Sequence, residues 1–558
     1  MKRIDVLLGL TLLAGTAAAQ EPPPEPPAST FGETVEVRVV NLEVVVTDRD
    51  GLPVTGLGAE DFRLLIEGEE TPIRYFTEVR SGVAVEPEAQ AEAPVTNLPE
   101  LAPGEPVGTS YLVFIDDFFP IARDRDRVLA ALRDDLGRLK PEDRMAIVAF
   151  DGEQLAMLST WTSSTRDLER ALRDAMARPA RGLQRAAERR SFSGRYGGLR
   201  DARTGMRSRS ANRSTLDFDE RYYAELLEDQ VGNMVSASAA ALRSFAKPPG
   251  RKVLLLLNGG WPYEIDEYVA TESSRFVVDP GIQTGRKLYA PLIDTANQVG
   301  YTVFPVDVPG QAVLGIGTAD VGGERALREG SGVDLQFNEF LREHNAQYAL
   351  ERVARETGGR ALLNAQRLDA LPLAEAATRT YYFLGFEPTW QSDDQRHDVR
   401  IEVRQEGLRA SARESYVDFS RQSEISAAVE SALLVGGGPG IRPLELEVSQ
   451  PERSSLYVMR VQVKLSLPAD QVTLIPSADG RVGELELRVA AIDERGGRTD
   501  VPVIPMQVRG PATIEPGARV TYEATIELRR LRNRLTVAVY DPDAGTLWAS
   551  TVEVEPKT

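Results

Sequence analysis

Two adjacent carboxylates, Asp116 and Asp117, end the apolar run SYLVFIDDFFP from Ser110 to Pro120 and are the residues best placed to do chemistry. The run reads as a central strand, and in a doubly wound α/β sheet ligands bind in the crevice beyond the strand ends. Asp151 follows a second apolar run, Met145 to Phe150, so Asp116 with Asp151 is the carboxylate pair that a hydrolase would use. The remaining catalytic inventory is thin. The two histidines, His344 and His397, fall in different elements without the spacing of metal ligands or of a nucleophile's base. The absence of cysteine excludes a thiolate nucleophile, a sulfur metal site and a disulfide framework. No glycine-rich phosphate loop stands at a strand-to-helix junction. These residues predict a chain that is not an enzyme and carries no cofactor.

The elements that position Asp116 belong to a long chain of 558 residues, 42% apolar and 27% charged, too long for one core and ordinary for globular domains. Its start, MKRIDVLLGLTLLAGTAAAQ, has two basic residues, a short apolar run and small residues up to Ala19, the pattern of a cleavable secretory signal over 1–19. The expected location is therefore periplasmic or secreted, with no transmembrane segment in the mature chain. A net charge of −19 argues against nucleic acid as a partner.

A proline-rich spacer over 20–30 precedes an alternating stretch, TVEVRVVNLEVVVT, and the turn DRDG, which predict an N-terminal β module over 31–80. Pro, Ala and Glu then make 81–109 a linker. Over 110–420 strand and helix patterns alternate. Helices are expected at Arg123 to Lys140, Thr165 to Ala177, Glu220 to Ala246, Gly285 to Val299 and Asn338 to Glu356. Strands fall between them at Met145 to Phe150, Val253 to Leu257 and Tyr301 to Val308, which implies a mainly parallel sheet. Strand patterns return at Tyr381 to Phe386 and Asp398 to Tyr416. A linker over 421–440 containing GGGPG leads to about seven short strands over 441–558, a predicted C-terminal β-sandwich. The fold class is thus multidomain α/β plus all-β.

Three blocks in this order, LEVVVTDRDGLPVTGLGAEDFRLLIEGEETPIRYF, SYLVFIDDFF and YYFLGFEP with HDVRIEVRQEGLRASARESY, resemble the exported VWFA-related family abundant in acidobacteria. The resemblance spans roughly 31–420 and implies a von Willebrand factor type A (VWA) domain. Such domains bind protein ligands through a divalent ion held by a DxSxS motif, a Thr and a further Asp, because Mg²⁺ takes about six oxygen ligands. Asp116 matches the first Asp. The two Ser positions fall on Phe118 and Pro120, which carry no side-chain oxygen, and the later Asp falls on Asn258 in LLLLNGGW. The Thr position lies within 178–215. The resemblance therefore implies a degenerate metal-ion-dependent adhesion site with no bound metal. Asp116, Asp117, Asn258 and Asp307 either form a polar binding rim, or Asp116 serves the fold by bonding loop amides.

From Arg178 to Arg213 there are eleven arginines against two acids. This insertion, 178–215, predicts a loop beside the site face. Its arginines, among them Arg181, Arg185, Arg189, Arg190, Arg195 and Arg200, either form a basic arm for an acidic surface or polyanion or rest on the protein's own acids. Taken together, the residues predict an exported protein-interaction protein whose partner lies in the cell envelope. The alternatives are a metal-dependent adhesion module with unusual ligands and a carboxylate hydrolase.

Overall fold

The computed structural model describes residues 39–85, 104–197, 213–269, 281–308, 331–435 and 441–556, apart from 247, 249, 391, 478, 479, 495–497, 500, 512, 514 and 516. They form two compact units, 41–435 and 441–556. The larger opens with strands β1 (Val40–Thr47), β2 (Phe62–Ile66), β3 (Glu69–Glu70), β4 (Tyr75–Arg80) and β5 (Val83–Ala84). The predicted strand SYLVFID follows as β6 (Thr109–Asp116), then β7 (Arg144–Phe150), β8 (Leu155–Thr162), β9 (Arg251–Asn258) and β10 (Tyr301–Asp307).

β6 to β10 make a five-stranded sheet in the order β10-β9-β6-β7-β8. β6 pairs in parallel with β7 and β9, β9 with β10, and only the edge strand β8 runs antiparallel. The chain leaves β6 toward β8, then returns to build β9 and β10 on the other side. The order reverses between β6 and β9, and that is the topological switch point. Alternate residues of each strand feed two cores. Leu112, Phe114, Leu254 and Leu256 pack under helices α4 (Arg213–Ser244), α5 (Ile265–Val269) and α6 (Gly285–Val299). Val113, Ile115, Ile147 and Leu255 pack under α1 (Ala122–Asp134) and α2 (Thr165–Ala177). Burial on both faces explains why these strands read as unbroken apolar runs.

Three expectations are corrected. The N-terminal β module is not closed on itself. β1, β4 and β5 share a sheet with β11 (Tyr381–Phe386) and β13 (Arg409–Ser411), and β2 pairs with β12 (Arg396–Val403), which also pairs with β14 (Ser415–Val417). Strands that alternate too briefly to bury a core alone find partners some 300 residues away, as in the register Tyr381↔Val79. The expected linker at 421–440 instead contributes a helix, Arg421–Val435, whose Val429, Ala432, Leu433 and Leu434 are buried. The expected loop after Arg178 carries the helix α3 (Gly182–Gly197).

In the second unit, two β-sheets share one core that includes Val461, Val463, Leu465, Leu487, Val537 and Trp548. The strand Val458–Pro468 pairs with Arg519–Arg529 over eleven consecutive residues, without a break in register.

Candidate functional site

Asp116 and Asn258 end the two strands that flank the switch point, and both are buried, at 0% and 1% exposure. The Asp116 carboxylate accepts four N–H donors. Phe118 N (2.7 Å) and Phe119 N (3.0 Å) reach Oδ1, while Gly259 N (3.0 Å) and the Trp261 indole Nε1 (2.7 Å) reach Oδ2. Burial pushes its carboxyl up to about 6, against the pull of those donors. The Asn258 side chain holds the same loop, its Oδ1 accepting from Gly260 N (2.7 Å) and Trp261 N (3.1 Å). Tyr289 secures the far side by donating its hydroxyl to the Trp261 and Pro262 carbonyls.

Two glycines permit this closure. A Cβ on Gly259 would lie 2.5 Å from the Pro120 ring, and one on Gly182 would lie 2.3 Å from the Pro120 carbonyl. The β9 loop and the start of α3 therefore sit directly on the turn after β6, where no side chain larger than hydrogen fits.

The oxygen set that the resemblance implies for a divalent ion does not fit here. Phe118 and Pro120 bring no oxygen, and both oxygens of Asp116 face the positive ends of N–H dipoles where a cation would have to sit.

No family model and no curated protein matches the chain. Among solved structures it is similar to a β-glucuronidase of Bacteroides uniformis at 11% identity and a TM-score of 0.15, over 32% of this chain and 19% of that one. It is similar to the pilus adhesin SpaC of Lactobacillus rhamnosus GG at 9% identity and a TM-score of 0.19, over 88% and 60% of the two chains. The putative ApaA protein of Bordetella pertussis is similar at 14% identity and a TM-score of 0.11, over 21% and 99%. At such TM-scores these likenesses carry no argument for fold or function.

Asp117 is equally enclosed. Its oxygens meet Arg125 Nη1 (2.5 Å) and Arg178 Nε (2.6 Å), and Arg125, itself 0% exposed, also donates to the Met176 and Arg178 carbonyls. The pair ties the turn after β6 to α1 and to the end of α2.

Of the four predicted rim residues, only Asp307 keeps partial exposure. It stands beside Asn258 in the β9–β10 register, and burial pushes its carboxyl up to about 6, opposed by the Arg367 guanidinium and reinforced by Glu343. The rim is corrected accordingly: Asp116, Asp117 and Asn258 hold the fold from inside and present nothing to a partner. Asp151 does not complete a hydrolytic pair either. Its Oδ1 accepts from Glu153 N and Gln154 N, and Asp116 has no exposed surface for substrate or water.

The first arginines of the insertion turn inward. Arg181 approaches Asp151 (3.9 Å) and Glu153 (3.4 Å), Arg185 pairs with Glu188 (2.8 Å) and stacks over Phe118 (4.7 Å), and Arg189 donates to the Tyr268 hydroxyl (3.4 Å). The side chains of Arg190 and Arg195, and all of Arg200, lie outside the described residues. Sequence reasoning missed Trp261, Arg125 and Arg178. The available signal was a physical requirement: two carboxylates at the end of a fully buried strand must find donors nearby.

Proposed function

We propose that the chain is an exported, non-enzymatic protein-interaction protein, periplasmic or secreted. In this reading its α/β domain is VWA-like with a degenerate metal-ion-dependent adhesion site, and its partner is a protein of the cell envelope. The observation that carries the proposal is the Asp116 carboxylate, which is bonded by four N–H donors at the strand end where a metal-dependent domain would hold its ion. The strand order, with an antiparallel edge strand and the reversal beside Asp116, supports the VWA-like part. The sealing of Asp116 counts against the carboxylate hydrolase.

Crosslinking of the exported chain in its own cell envelope, with and without EDTA, tests the proposal. The expected result is one defined adduct whose yield EDTA leaves unchanged. Loss of that adduct in EDTA would favour a metal-dependent adhesion module, and no adduct in either condition would remove the interaction reading.

A further inference from the structure

The longest sheet edge among the described residues lies in the second unit. The strand Arg519–Arg529 bonds Val458–Pro468 on one side and ends its sheet. It runs for eleven residues, RVTYEATIELR, with no proline, lysine or bulge. Such edges invite another strand, and natural proteins ordinarily shorten or interrupt them. The other long edges here are interrupted: β8 shifts register twice against β7, β10 carries Pro305, and Val503–Gly510 carries Pro505.

The direction of its main-chain groups follows from the pairing. Arg530 N–H bonds the Tyr457 carbonyl, and Ala469 N–H bonds the Ala518 carbonyl. Groups alternate sides along a strand, so the even-numbered residues from 518 to 530 face Val458–Pro468. Thr521, Glu523, Thr525 and Glu527 therefore turn N–H and C=O outward, where they meet no backbone partner among the described residues. On the inner face Ala524, Ile526 and Leu528 are buried, while Val520 and Tyr522 pack on the core and stay partly exposed. A strand laid alongside would bond the first set and finish covering the second.

A second copy of the same strand meets these needs. Two copies related by a two-fold axis pair antiparallel, and outward residues must face outward residues. With most of the strand in use, the axis falls at Glu523, Ala524 or Thr525. An axis at Glu523 sets that carboxylate against its own copy, and one at Thr525 sets Glu523 against Glu527. Like charges directly opposite are destabilising. An axis at Ala524 sets Glu523 opposite Thr525 and Glu527 opposite Thr521, with Tyr522 beside Ile526 on the inner face. Arg519 then faces Arg529, but each is already paired, with Glu445 and Asp493 respectively.

We propose that two copies of the chain join through Arg519–Arg529, antiparallel about Ala524, so that one sheet runs on across the dimer. Thr521, Glu523, Thr525 and Glu527 of the two copies exchange about eight main-chain hydrogen bonds, two for each facing pair. This contact is separate from the envelope partner proposed above, and either can fail alone.

Sedimentation of the purified exported chain over a range of concentrations tests the proposal, and a reversible dimer is expected. Thr525→Pro removes an outward N–H and no bond within the fold, and is expected to weaken the dimer at least about tenfold. Residue 525 of each copy faces Glu523 of the other. Thr525→Glu is therefore expected to weaken the dimer and Thr525→Lys to tighten it, each by about threefold or more. These two variants decide the matter if the proline variant does not fold. A chain that stays monomeric up to about 0.1 mM would overturn the proposal. So would a dimer that the variants leave unchanged, or one on which Thr525→Glu and Thr525→Lys act alike. Slow amide exchange over Thr521–Glu527 in a monomeric chain would also overturn it, because another segment would then already fill the edge.

Discussion

The strand-end crevice and the surface beside β12 are opposites in how they treat polar groups. In the crevice, Asp116, Asp117 and Arg125 are fully buried, and each ends on several partners. Beside β12 the pairs Arg355–Glu414 and Arg400–Glu402 instead stand at the surface, where water competes for them. A site whose polar groups are already bonded to one another has little left to offer a ligand, because a newcomer must first break those bonds. Surface pairs exchange readily, so a charged partner has less to break there. The position singled out by topology is thus the less available of the two.

Two arginines set this contrast most sharply. Arg125→Ala leaves Asp117 buried with half its pairing and is expected to cost about 3–5 kcal/mol in urea unfolding. Arg360→Ala, at an exposed position, is expected to change stability by no more than about 0.5 kcal/mol. A small loss in Arg125→Ala would mean that Asp117 reaches water, and the crevice would then be open to ligands after all. Asp116→Ala comes next. It strands four buried donors, and an expected loss of about 3–4 kcal/mol should appear at unchanged m-value.

Much of the central sheet was legible because strands buried on both faces carry an unbroken apolar signature, and α2, α6 and β11 lie at the residues that periodicity predicts. Pairing between distant strands was not legible. Nothing in the local pattern of Val399–Val403 says that its partner is Phe62–Ile66. The insertion reads as a loop because its arginines, serines and glycines carry little apolar periodicity, yet Gly182–Gly197 is helical, and Arg178 meets Asp117 and Arg181 meets Glu153 once the chain has folded. Trp261 was overlooked because an aromatic after a Gly-Gly turn reads as packing, while its indole N–H is what the Asp116 carboxylate needs.

Asp307 gives a smaller effect with a defined pH window. Its folded-state value of about 6 lies above the unfolded value of about 3.9. The folded chain therefore keeps a proton that the unfolded chain has released between those values. The resulting stabilisation is fully present below about pH 3.9 and is lost as pH rises through about 6. Asp307→Asn removes this dependence. Relative to the parent, it is expected to gain about 1–2 kcal/mol between pH 3.9 and pH 7, with partial exposure holding the figure down. An unchanged difference across that range would place Asp307 in full contact with water.

The smallest expected effect is none. An ion bound at 100 times its dissociation constant would stabilise the folded chain by about 2.7 kcal/mol and move the unfolding midpoint by a few degrees. Thermal unfolding in EDTA and in millimolar Mg²⁺, Mn²⁺ or Ca²⁺ is expected to give a single midpoint. To bind at Asp116, an ion would have to displace the Gly259 and Trp261 donors from Oδ2 or the two loop amides from Oδ1, and it would find no hydroxyl at Phe118 or Pro120 to complete its shell. A shift that disappears in Asp116→Ala would show that the β9 loop can swing Trp261 away. The crevice would then be open to ligands.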